Sequence, residues 1–175
     1  LRVITGKAKG KKLISPESGT RPLTDRIKTV IFDLIKDLIP NSHVLDLFAG
    51  SGAFGIEALS RGAAESTFVD IGNESINCIE TNLANTNLRD QSIISKSDVN
   101  DFMMSTDKTF NIIFLDPPFD DKKEPDFPLI SRVLSDDGIL IFRTVQNKKL
   151  DKERLPFEIV YQKIIGVSKV IFLKK

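Results

Sequence analysis

Cysteine and histidine occur only once each in this chain, as Cys78 and His43. A lone cysteine excludes an internal disulfide and suits a reducing compartment. With one residue of each type, a cysteine/histidine zinc site is excluded by count. Long apolar runs are missing too. Nothing approaches the roughly 18 residues of a membrane span, and no signal peptide is recognisable, so a cytoplasmic protein is expected. Internal repeats and low-complexity tracts are absent, and 175 residues are enough for one domain with a proper core.

Net charge is nearly absent, at +1, but its distribution is uneven. Residues 1–28 carry eight bases (Arg2, Lys7, Lys9, Lys11, Lys12, Arg21, Arg26 and Lys28) against Glu17 and Asp25, an excess of +6 that leaves −5 for the remainder. A basic arm on a mildly acidic body is the footprint of a nucleic-acid binder; a solvated terminal segment would look the same by charge alone. The arm has no aromatic residue, and glycines interleave its "GKAKGKK". Both features suit phosphate contact better than base stacking.

The periodicities organise the rest. "LRVITG" and "KKLIS" predict two short strands in a hairpin, and "TDRIKTVIFDLIKDLI" an amphipathic helix with Thr24 or Asp25 at its N-cap. From residue 43 the pattern alternates. Strands are expected at "HVLDLF", "STFVD", "QSIISKS", "FNIIFLD" and "GILIFRT", and helices at "AFGIEALSRG", "NESINCIETNLANTN", "DVNDFMM" and "PLISRVL". "FEIVYQKII" and "SKVIFLKK" should form a closing antiparallel pair. Such alternation predicts an α/β fold: a mainly parallel, Rossmann-like sheet with helices on both faces. The expected division is a basic hairpin-and-helix extension over 1–40 and a ligand-binding core over 41–175.

"DLFAGSGAFG" holds G-x-G-x-x-G at Gly50, Gly52 and Gly55, between a strand and a helix. Gly50 would permit the tight turn, Gly52 ligand approach, and Gly55 close packing of helix on strand. Asp70 ends the next strand, where an acid can accept hydrogen bonds from ribose hydroxyls. A nucleoside-containing cofactor follows, but not its identity. Asp46, four residues before Gly50, would repel a pyrophosphate and suit a cation, which favours S-adenosylmethionine over NAD. The same acid could simply bond nearby backbone amides. Asp98 can accept from an adenine amino group, with Val99 as apolar contact, or merely cap a helix.

"FLDPPF" places Asp116, Pro117, Pro118 and Phe119 at the end of the most apolar strand. A turn accounts for the prolines but not for the acid and aromatic beside a cofactor rim. For transfer to an exocyclic amine the set makes sense. Asp116 and the Pro117 carbonyl can accept the two N–H bonds, and Phe119 can stack on an extruded base.

"VLDLFAGSGAFGIEAL", "FVD" and "FLDPPF" resemble the class I S-adenosylmethionine-dependent methyltransferases of amino groups, whose sheet has seven strands with the last antiparallel. "RVITGKAKGKKL" and "RPLTDRIKTVIFDLI" are similar, more narrowly, to the RsmD family, which methylates a guanine N2 in bacterial 16S ribosomal RNA. The resemblance implies S-adenosylmethionine as cofactor, held by Asp46, Phe48, Gly50, Ser51, Gly52, Asp70, Ile71, Asp98 and Val99, with Thr24, Arg21 and Arg26 near its methionine end and the catalytic mouth. It implies Asp116, Pro117, Pro118 and Phe119 around the target base, and Arg2, Lys7, Lys9, Lys11, Lys12, Arg21 and Arg26 on 16S rRNA within an assembling small subunit. A monomer with neither metal nor membrane is expected. Adenine or DNA amines are alternative acceptors, and an NAD-dependent oxidoreductase is a more distant one. Thr5, Gly72, and Arg143 with Thr144 depart from the family pattern, and none is expected to touch the methyl-transfer residues.

Overall fold

Residues 110–115, "FNIIFL", are apolar on both faces of a strand, and such a strand must lie central in a sheet covered on both sides. A computed structural model, which describes residues 1–17, 23–118 and 125–175, bears this out. Seven strands run β1 (His43–Leu47), β2 (Glu65–Asp70), β3 (Ser92–Lys96), β4 (Phe110–Leu115), β5 (Leu134–Val145), β6 (Glu158–Ile165) and β7 (Ser168–Lys174). They form one sheet in the order β3-β2-β1-β4-β5-β7-β6. The first five are parallel, and β7 pairs antiparallel with both β5 and β6. Chain order reverses between β1 and β4, which opens a crevice at their carboxyl ends.

Helices α1 (Asp25–Leu34), α2 (Ala53–Ser60), α3 (Asn73–Thr86), α4 (Val99–Ser105) and α5 (Phe127–Val133) cover the sheet. Alternate residues feed two apolar layers. Val44, Ile112, Phe114, Ile139, Ile141 and Phe172 join α1, α2 and α3 on one face. Leu45, Leu47, Ile113, Leu115, Leu140 and Phe142 join α4 and α5 on the other. Phe54 stacks on Phe114 at 4.7 Å, tying α2 to the central strand.

The amphipathic helix is shorter than its apolar spacing predicts. Thr24 caps it, its hydroxyl accepting the Ile27 amide at 3.3 Å, but the last turn tightens into a 3-10 turn at Lys36–Leu38. Ile35 and Ile39 stay buried through that change, which is why the spacing ran on. The N-terminal hairpin is likewise reduced, to one antiparallel bridge between Arg2 and Lys12. The amides of Ile4 and Thr5, which a longer ladder would need, donate instead to the Glu57 carboxylate at 2.8 and 3.0 Å. Val3, Ala8 and Leu13 are buried in the same apolar layer as α1 and α2. Among the described residues no helix is long and apolar enough to cross a membrane.

Candidate functional site

Strand ends place the candidate residues. Leu47 pairs with Val69 on one side and Leu115 on the other, so Phe48, Asp70 and Asp116 emerge together at the carboxyl rim. The glycine loop turns over them. Gly50 and Gly52 have φ of +55° and +74°, a left-handed backbone that side chains rarely adopt. Both permit the turn expected of Gly50, but the room around them differs. A Cβ on Gly50 would meet only the Phe48 carbonyl oxygen, at an ordinary 3.9 Å, whereas one on Gly52 would lie 3.2 Å from Phe68 and Ile79. Gly50 therefore presents the exposed backbone and Gly52 the packed turn. Gly55 acts as predicted, since a Cβ there would sit 2.3 Å from the Phe68 ring.

Asp70 staples the rim. Its Oδ2 accepts the Gly50 amide and its Oδ1 the Gly72 amide, both at 2.8 Å. Next to it the side chain of Ile71 is 68% exposed, an apolar surface beside a polar anchor. Asp98 takes the second of the two roles expected of it, the cap. Its Oδ1 accepts the Asn100 and Asp101 amides as the N-cap of α4, and it also lines a cavity of about 100 Å³. Phe48, Val99, Leu115 and Pro117 share that cavity, as do Met103 and Ile130 from the covering helices, which sequence reasoning missed. Helical spacing in α4 was the available signal, since Val99 and Met103 lie four apart on one face.

Asp46 is 1% exposed and its Oδ2 accepts the Gly55 amide at 2.9 Å, so it braces the loop from beneath. Burial raises its carboxyl well above the ordinary range, the Gly55 amide opposes that rise, and the charges of Asp116 and Asp70 reinforce it. Asp116 is also raised by burial, against the pull of Arg143. That arginine corrects an expectation, because position 143 does touch Asp116, one of the residues expected to surround the acceptor. Its Nη1 lies 2.7 Å from Asp116 Oδ2, with the arginine buried. Leu115 pairs with Phe142, so the next residue of each strand falls side by side. Phe119 and Arg21 lie outside the described residues.

The basic residues lie elsewhere. Ser60 ends α2, at the far end from the glycine loop; its carbonyl accepts the Lys7 amide, and its hydroxyl accepts the Ala8 amide. Lys7 Nζ donates to Gln91 just before β3, so the lysine turn sits at the amino edge of the sheet. Lys9, Lys11, Lys12 and Arg26 are exposed, and Arg2 pairs with Asp25 at 3.0 Å. Beneath the arm, Glu57 also accepts from Lys28 Nζ at 3.0 Å and Arg61 Nε at 2.8 Å. Asn82 joins arm to loop. Its amide nitrogen donates to the Ile14 and Ser51 carbonyls, and its oxygen accepts the Ile14 amide.

A crevice with an open backbone, a small apolar cavity and buried acids suits a nucleoside that carries positive charge. Asp46, Asp70 and Asp116 would all repel a pyrophosphate, and a cation would offset the burial of the first and last. Among the described residues no His/Cys/Asp/Glu group could hold a metal.

Known proteins agree with this arrangement. The family model described as conserved hypothetical protein 95 matches residues 1–174. YlbH of Bacillus subtilis (strain 168), a candidate rRNA methyltransferase, is 32% identical over 100% of this chain and 99% of its own. Ribosomal RNA small subunit methyltransferase D of Escherichia coli (strain K12) is 38% identical over 68% of this chain, and the match spans 60% of that protein. The solved structure of yhhF from Escherichia coli, a candidate methyltransferase, superposes with a TM-score of 0.88 at 29% identity. That likeness covers 100% of this chain and 97% of the other.

Proposed function

Since the chain belongs to the conserved hypothetical protein 95 family, the RsmD family of rRNA methyltransferases, we propose that it uses S-adenosylmethionine to methylate the N2 amine of a guanine in small-subunit ribosomal RNA. One observation carries the reading. A carboxylate followed by two prolines stands at the crevice where β1 and β4 diverge, beside a glycine loop with its backbone open.

The residues present fit the cofactor. Gly50 and Ser51 offer backbone, and Asp70, though bonded to two amides, keeps lone pairs for ribose hydroxyls. Ile71 gives an apolar face to the adenine, while Asp98, Val99 and Phe48 line the cavity for its edge. Asp46 supplies negative field for a sulfonium and an ammonium group. When bound, the cofactor supplies an electron-poor methyl group.

The chain's own part is to present the acceptor. A guanine amine is planar and weakly nucleophilic, because its lone pair is delocalised into the ring. Accepting its two N–H bonds, one at Asp116 and one at the Pro117 carbonyl, localises that pair. The prolines fix the carbonyl's direction. Alignment of this kind is worth up to about 7–11 kcal/mol. The lysine turn would hold RNA phosphates at the other end of α2, about 12 Å away at 1.5 Å per residue.

The test uses labelled S-adenosylmethionine with small subunits lacking the modification, followed by mapping of the base. Asp116→Ala should abolish transfer while calorimetry shows the cofactor still bound. Full activity in that variant would refute the role, and label mapped to an adenine would refute the guanine.

A further inference from the structure

We propose that Arg143 is a positioning residue for the acceptor amine, clamping one oxygen of Asp116 so that the other points at the N–H bond to be held. Alternation along the strands puts the acid, the arginine and Ser168 on the α1/α2 face of neighbouring β4, β5 and β7. Arg143 Nε lies 3.3 Å from Ser168 Oγ, and its Nη1 lies 2.7 Å from Asp116 Oδ2. Both the arginine and the serine are buried, so the guanidinium cannot swing away. Asp116 Oδ1 accepts nothing among the described residues, and Asp116 remains partly accessible at the rim. With Nε on the serine and Nη1 on the acid, the planar guanidinium fixes where Oδ2 is held, which a point charge could not do.

The clamp also sets the charge state. Among the described residues, the charged groups beside Asp116 are Arg143 on β5, which holds its Oδ2, and Asp46 on β1, whose own carboxyl feels the charge of Asp116. Burial favours a protonated carboxyl, and Arg143 opposes it through its charge and its hydrogen bond. A protonated Asp116 would donate rather than accept, and the amine would lose its partner.

This rests on the proposed methyl transfer, so the experiment reads the clamp separately. The Asp116 carboxyl is titrated by NMR in the cofactor-free protein, for wild type, Arg143→Gln and Arg143→Lys, and the pH dependence of kcat is then measured. In Arg143→Gln the carboxyl should titrate at least about one pH unit higher. The acid limb of kcat should move with it, and kcat should fall 10-fold or more with cofactor Kd within twofold. Arg143→Lys should restore the titration but keep a severalfold lower kcat, and it carries the test if the glutamine variant fails to fold. An unmoved carboxyl in Arg143→Gln, or wild-type kcat in Arg143→Lys, would overturn the clamp. A wild type that methylates no RNA would overturn the proposed function, while the titration still judges the arginine.

Discussion

At the scale of single residues, the crevice stores carboxylates where carboxylates are costly. Asp46 sits under the loop with its pKa raised by burial. Because its folded value lies above the unfolded one, the native state keeps a proton that the unfolded chain releases. Stability therefore falls as pH rises from the ordinary carboxylate range towards the raised value, and the whole penalty is present above it. Asp46→Asn removes the titration and keeps an acceptor for the Gly55 amide. Its thermal midpoint should exceed that of the wild type by a margin that widens with pH and closes in acid. Melting both proteins across a pH series checks this, and a margin that ignores pH would contradict it. Single residues were also where the sequence was read best and worst. The close packing at Gly55 and the helix cap at Asp98 were both legible from their places in the chain. Arg143 did not, because its neighbour is fixed by the pairing of Leu115 with Phe142, two strands joined only through a helix.

At the scale of elements, Glu57 fastens the N-terminal arm to α2 and α1. It accepts from two arm amides, from Lys28 and from Arg61, and neither Glu57 nor Lys28 is exposed to solvent. Removing one partner of a buried pair strands the other charge, at a cost of about 3–5 kcal/mol. Glu57→Ala should lose that much stability in urea unfolding; a loss below about 1 kcal/mol, the level of an exposed pair, would contradict the fastening. Alternation of strand and helix made the core's elements legible from residue 43 onward. The arm was less so. Its apolar residues are spaced like a strand's, but α2 outcompetes a partner strand for its amides, and no local pattern records that contest.

At the scale of the whole molecule, the lysine turn and the Asp116 rim lie at opposite edges of one sheet. In the proposed function the turn holds phosphates and the rim holds the base, so the two contributions are separable. Replacing Lys7, Lys9 and Lys11 with glutamine should weaken RNA binding and lower the salt slope by up to about 0.9 per lost phosphate contact, with cofactor binding unchanged. Binding isotherms at several salt concentrations measure it, and an unaltered slope would place the grip elsewhere. The charge excess itself was plain in the sequence. Its location was not, since the turn's position depends on Ser60 at the far end of a helix fifty residues away in the chain.

The carboxamide of Asn82 belongs to all three scales. Buried completely, it grips the backbone at Ile14 through both of its polar atoms and at Ser51 through its nitrogen. Two segments with separate tasks thus hang from a single peg. Neither Ile14 nor Ser51 can move away from the other without straining or breaking a bond to that one carboxamide.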